Sequence, residues 1–214
     1  MQETIRAFGA WLDINAKNYK TELRFASLLF WGEREDLAKI EINPDTEMFF
    51  NEWLMLDFSV NGYDNVSAEK RENFLNIFLR DNFSELSEGA RIFAQNASIS
   101  FPSFYKISKI KPGSYTDLND LFLQKEIRSV DKNLSWSGSR NKIIYGRFCQ
   151  NEKKEYIGAG SQNVFVPQKF FDVIFHWVNG TYKMANEAGS FMSIEQFLKW
   201  NSYIFYREIV SGDK

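Results

Sequence analysis

The spacing of apolar residues changes twice along this 214-residue chain, and that double change limits its fold more than any single motif does. Up to Ser98 apolar positions recur with the period of a helix that buries one face. From Phe104 to Val166 they alternate in short runs between turn residues, as strands do. Beyond Pro167 the helical period returns. The pattern predicts an α+β fold: a helical N-terminal half, a small curved antiparallel sheet or partial barrel in the middle, and C-terminal helices packed back onto it. The regions fall at residues 1–98, 99–167 and 168–214. No linker, repeat or low-complexity tract separates them, so they are expected to pack as one body.

In the front half, Ile5, Phe8 and Leu12 predict a helix over Glu3 to about Ala16. A second runs from Thr21 to Trp31 and is stopped by Gly32. Glu33 to Ile42 fits neither period. Asn43 as cap, Pro44 at the first helical position and the acids Asp45 and Glu47 then launch the densest aromatic stretch, Phe49 to Phe58. Phe50, Trp53, Leu54 and Asp57 share one face of it, so a carboxylate ends an apolar stripe. Such an acid either meets a partner or lies at a working surface. Asn61 and Gly62 form a turn, and Ser67 is expected to cap a helix burying Phe74, Leu75, Phe78 and Leu79. Ser87 and Glu88 start a shorter helix to about Asn96.

Phe104 to Ile110, Tyr115 to Leu121, Lys125 to Asp131, Lys142 to Cys149, Tyr156 to Gly160 and Val164 to Val166 each read as a strand. Short strands at such regular spacing fit a strongly curved sheet or partly closed barrel. Phe170, Phe171, Ile174, Phe175 and Val178 give a helix to about Asn186, with Gly180 placed to bend it. Ser193, Glu195 and Gln196 open a last helix that buries Phe197, Leu198, Ile204 and Phe205.

The net charge of −2 conceals an asymmetry. Residues 1–100 carry 10 Lys and Arg against 17 Asp and Glu, whereas residues 101–167 carry 11 against 6. A basic middle suits a nucleic-acid surface, attraction to the acidic front, or simply solvated faces. Aromatic residues make up 17% of the chain, including 21 Phe and 6 Trp, more than a modest interior requires. No apolar run is long enough to span a membrane, and the lone Cys149 suits a reducing compartment, so a cytoplasmic protein is expected.

Catalytic chemistry finds few residues. The one histidine, His176, stands between Phe175 and Trp177, where a structural or surface role is ordinary, and Cys149 reads as a packed thiol in a strand. Gly158, Ala159, Gly160 and Ser161 lack the lysine of a phosphate-binding loop and read as a hairpin turn. Asp117 and Asp120, with Glu126 or Asp131 and Lys125, are the best candidates for a Mg-dependent nuclease; solvated and turn-forming acids explain the same residues. No catalytic residue, metal ligand or cofactor is assigned.

Phe50, Trp53 and Asp57, followed by Phe74 to Leu79, Leu86 to Glu88, Phe104 to Lys111, Asp117 with Leu118, and Ile143 to Phe148, stand in an order that resembles a group of uncharacterised bacterial proteins. In that group an aromatic helix with an F-x-x-W-x-x-x-D pattern precedes a small β module, often joined to a zinc-binding SEC-C motif. The resemblance covers residues 49–167. It implies the architecture above and carries no established activity. The SEC-C cysteines and histidines are absent here, where Cys149 and His176 stand on different elements.

The reading that follows is a non-catalytic accessory or regulatory protein with a protein partner, of the kind that holds or silences a partner in bacterial defence or mobile-element loci. Its expected contact residues are Trp136, Trp177, Tyr182, Trp200 and Tyr203. The alternative is single-stranded nucleic acid, bound by the β module through Tyr105, Lys106, Lys109, Arg128, Tyr145 and Arg147, with Tyr115 and Trp136 also placed to stack on bases.

Overall fold

The structure, a computed structural model, is described for residues 2–32, 44–62, 67–160 and 163–211. The ambiguous stretch Glu33 to Ile42, the Asn43 cap and Ser161 lie outside the described residues. The α+β reading holds, and the chain divides into two compact units.

The helical unit comprises α1 (Gln2–Asn15), α2 (Lys20–Trp31), α3 (Pro44–Leu56), α4 (Phe74–Asn82), α5 (Glu88–Ile99) and α9 (Ser202–Ser211). Its centre is α3. Trp53 is fully buried and meets Phe30 at 5.4 Å, Phe58 at 5.3 Å and Tyr203 at 5.8 Å between ring centroids. Rings at these distances and tilts add attraction beyond area burial. Glu52 of α3 and Asp57 just after it turn inward with partners from α9: the Tyr206 hydroxyl donates to Glu52 at 2.6 Å, and Ser202 donates to Asp57 at 2.7 Å. Asp57 is fully buried, which settles the choice posed by its sequence position in favour of a structural role.

Ser67 does not cap the fourth helix. A short 3-10 turn, Ala68–Lys70, follows it, and α4 begins at Phe74 with Asn73 as its cap, accepting from the Asn76 N–H at 2.8 Å. The buried Asn73 amide also donates to the carbonyls of Leu56 (2.7 Å) and Ser98 (3.0 Å), tying α3, α4 and α5 together. One side chain that satisfies three backbone groups outcompetes a serine that satisfies one.

The second unit covers residues 99–199 with Ser67–Glu69. It contains β1 (Pro102–Lys111), β2 (Tyr115–Asp120), β3 (Glu126–Ser129), α6 (Lys132–Ser137), β4 (Ile143–Gln150), β5 (Tyr156–Gly158), β6 (Val164–Val166), α7 (Gln168–Glu187) and α8 (Ile194–Trp200). β2 pairs with β1 and β3, β4 pairs with β1 and β5, and β5 meets β3, so the sheet closes on itself. Every pairing is antiparallel except β3 with β5, and β6 extends the sheet from β4. A small closed Greek-key barrel with a helix between its third and fourth strands has the topology of an OB-type barrel.

Tyr105, Ile107, Leu118, Ile127, Ile144 and Phe148 fill the barrel, and Leu134 of α6 joins them. α7 covers part of the outside: Phe171 lies 5.6 Å from Phe104 and 6.2 Å from Phe122, and Phe175 stacks on Phe122 at 5.5 Å. Gly180 sits exposed within α7 and does not interrupt it. The last predicted helix is two, α8 and α9, parted at Asn201. Ser193 and Gln196 exchange backbone and side-chain hydrogen bonds at 2.9 and 3.2 Å, the reciprocal cap their spacing predicts.

Candidate nucleic-acid interface on the barrel

Strand alternation sends Leu118 into the barrel and its neighbours Asp117 and Asn119 outward. The same rule puts Lys106 of β1 and Arg128 of β3 outside, where both are exposed. A register shift between Ile107 and Lys109 inserts one residue into β1, and this bulge returns Lys109 to the outer face opposite Asp117. Lys111, at the end of β1, pairs with Tyr115 at the start of β2.

Tyr115 is the ring at the centre of these cations. The Arg128 guanidinium lies 4.0 Å from its centroid and the Lys109 ammonium 5.9 Å. Arg128 is held in place by a two-pronged pair with Asp117, Nε to Oδ1 at 2.7 Å and Nη2 to Oδ2 at 3.1 Å, which raises the guanidinium's already high pKa. The face therefore offers lysines, an arginine and a half-buried ring on adjacent strands.

Trp136 stands at the end of this face. It lies on α6, because Asp131 accepts from the N–H groups of Asn133 (2.9 Å) and Leu134 (3.2 Å) and starts a helix there. The indole is 71% exposed, yet it rests on the turn between Lys111 and Tyr115. That turn has φ +69° at Gly113, and a Cβ there would come within 2.9 Å of the ring, so both the backbone and the tryptophan require glycine.

Several residues chosen from sequence are elsewhere. Tyr105 points into the barrel and is buried. Tyr145 and Arg147 do face outward, but Tyr145 packs at 4.8 Å on Phe104, and Arg147 is buried with Nη1 donating to the Ser100 carbonyl at 2.7 Å. These three cannot meet a nucleic acid without unfolding. Trp200 is likewise buried, with the Arg71 guanidinium 5.8 Å from its ring. Trp177 and Tyr182 flank Phe197 at 6.2 and 5.7 Å, with Trp177 37% exposed. Tyr203 is half-buried against Trp53, and burial raises its phenol pKa.

The acids considered for metal binding are parted in the same way. Asp117 pairs with Arg128 on the outer face, Asp131 caps α6, and Asp120 turns inward, where its Oδ1 accepts from the N–H groups of Phe122 and Leu123, both at 2.9 Å. Three residues apart in a strand means opposite faces. Among the described residues no group of three or more His, Cys, Asp or Glu converges. Cys149 is buried, and burial pushes its thiol up to about 11. At neutral pH this leaves roughly a hundredfold less thiolate than an ordinary cysteine carries, so iodoacetamide is expected to label Cys149 only after urea unfolding.

At the barrel end remote from α6 there is a cavity of about 180 Å³, lined by Phe101, Tyr105, Asp120, Lys125, Phe148 and Glu195 among others. Its chemistry was not evident from the sequence, because Tyr105 and Asp120 meet only through cross-strand pairing and Glu195 arrives from α8. Burial raises the Asp120 carboxyl above its ordinary range, against the lowering effect of its hydrogen bonds from Leu123 and Phe122, and Glu195 adds to the rise. A carboxyl raised on folding contributes stability at low pH that is lost as the pH climbs through its raised value. Asp120→Asn keeps an acceptor for the two N–H groups and removes the charge. It is expected to be more stable than the natural chain at pH 7, with the gap closing as urea midpoints are measured down toward pH 4.

Among the described residues no helix is long and apolar enough to cross a membrane. Comparison of the chain with protein-family models, with curated proteins and with solved structures gives no match.

Proposed function

We propose that the barrel is a non-catalytic binding module that takes single-stranded nucleic acid along the outer face of β1, β2 and β3. The observation that carries this reading is the cluster of Lys109, Arg128 and Tyr115 on adjacent strands, with Lys106, Lys111 and the exposed Trp136 at its borders. Cations follow phosphates, and rings stack on bases of any identity. The OB-type topology supports the reading by analogy, since such barrels commonly bind oligonucleotides on this part of the sheet. Our reading keeps, as a further proposal, kinship with the bacterial proteins that pair an aromatic helix with a small β module.

The test is a fluorescence-anisotropy titration of the full chain with a labelled oligo-dT and oligo-rU across a series of salt concentrations. Four engaged cations predict that log K falls with log salt at a slope of about −3. Absence of binding at low salt would remove this function.

A second reading, a protein partner, is favoured by the groove beside α6. Ser137, Ser139, Lys142, Phe165, Val166 and Pro167 line a space of about 370 Å³, and Phe165 is 44% exposed. Trp136→Ala separates the two readings. It is expected to leave folding intact and to weaken oligonucleotide binding by about 1–3 kcal/mol if the indole stacks on a base. With unchanged oligonucleotide binding and lost capture of a protein partner, the second reading takes precedence.

A further inference from the structure

We propose that the mouth of the barrel is a binding site for a small organic cation, a molecule with an ammonium or guanidinium head on a compact apolar body. This inference rests on the barrel's interior and does not depend on the nucleic-acid reading of its outer face.

The cavity is built from strand ends. Tyr105 and Asp120 are directly opposed across the β1–β2 pairing, Ile127 comes from β3, Phe148 and Tyr156 come from β4 and β5, and Glu195 comes from α8. Leu134 of α6 packs into the same interior. The interior holds polar groups of a defined kind. Asp120 is 3% exposed and Tyr105 4% exposed, and both line the cavity.

The signs of the charges choose the ligand. Asp120 and Glu195 both line the cavity, and the cation in its lining, Lys125, is exposed. An anion entering the mouth would meet two carboxylates in a poorly hydrated space. A cation would relieve their mutual repulsion and gain charge-assisted hydrogen bonds. The remaining wall suits such a guest: Phe101, Tyr105, Phe148 and Tyr156 supply rings, with Tyr105 edge-on to Phe148 at 5.1 Å and 86°. Aromatic walls attract cations through their faces and pack against the apolar body. The volume of about 180 Å³ admits a single small molecule or one side chain. Asp120 also locks the β2–β3 turn through Phe122 and Leu123, a task asparagine performs equally well. The carboxylate itself is what the turn leaves unexplained.

The experiment follows the amide resonances of Phe122 and Leu123 in the full chain while benzylammonium is added, with benzyl alcohol, benzoate and Mg²⁺ titrated in parallel. Benzylammonium is expected to shift both amides in a saturable one-to-one manner, with benzyl alcohol and benzoate at least tenfold weaker. Asp120→Asn should weaken benzylammonium at least tenfold while the protein stays folded. Lys125→Ala should tighten it a few-fold by removing a like charge from the cavity's lining. Charge reversal of Lys106, Lys109 and Arg128 should leave it unchanged, which keeps failure of this proposal distinct from failure of the nucleic-acid one. A short lysine peptide that outcompetes benzylammonium would identify a partner's side chain as the source of the cation. Equal affinity for benzyl alcohol, undiminished binding to Asp120→Asn, or a response to Mg²⁺ alone would overturn the assignment.

Discussion

Replacing Trp53 with alanine is expected to destabilise the helical unit by about 3–5 kcal/mol, the range for deleting a large buried ring. Trp53 is fully buried, and its ring touches Phe30, Phe50, Phe58 and Tyr203, contributed by α2, α3, the segment after α3 and α9. No single neighbour can move into the space without abandoning another. Collapse would therefore be partial and the cavity term large. Trp53→Phe is the informative control, because among the described residues the indole N–H has no hydrogen-bond acceptor. Phenylalanine discards that unpaired donor and keeps most of the volume, so a cost under about 1.5 kcal/mol is expected. Urea unfolding monitored by circular dichroism checks both. A small loss for Trp53→Ala would mean that the aromatic cluster repacks and that α3 is not the element on which the unit depends.

Reversing charge at Lys106, Lys109 and Arg128 together is expected to reduce oligonucleotide affinity several-hundredfold at about 50 mM salt. Each phosphate contact to a single strand contributes about 0.7 to the slope of log K against log salt, so losing three lowers the slope by about 2. Extrapolated from about 1 M down to 50 mM, that difference is a factor of several hundred. Arg128 has a further role, since it both pairs with Asp117 and covers Tyr115. Its loss would free the ring and leave Asp117 facing the phosphates. The salt slope separates this from unfolding, because an unfolded variant loses binding without the graded dependence. If all three reversals leave the slope unchanged, the basic face is only solvated charge.

Short-range features were the legible ones. The beginnings of β1, β2, β3 and β4 lie within two residues of where alternation and turn residues place them, as does the cap of α8. Closure was not legible, because the β1–β4 and β3–β5 pairings join residues far apart in sequence and leave no local pattern. The missed helix α6 is six residues long, too short for a helical period to show, and its apolar content is one leucine and one tryptophan. Tyr145 and Arg147 show where pattern reading ends. Alternation places both on the outer face, but only the fold reveals that Phe104, Phe171 and Ser100 occupy the space above that part of the sheet. The surplus of rings has a similar explanation. Many of them are spent inside α2, α3, α4 and α9, a demand that depends on how four helices meet rather than on chain length.

The division of the chain bears on how it is made. Apart from Ser67–Glu69 the barrel unit is drawn from one stretch, residues 99–199, whereas the helical unit needs α9 to complete it, with Phe205 and Tyr206 buried in it. On a ribosome adding about 5–20 residues per second, α1 to α5 emerge and then wait on the order of 5–20 s for their last helix. During that interval Phe30, Phe49 and Trp53 lack the rings that α9 brings to them. Synthesis itself thus imposes a window in which the nascent N-terminal segment is sticky, and the speed of translation through the barrel sets how long it stays open.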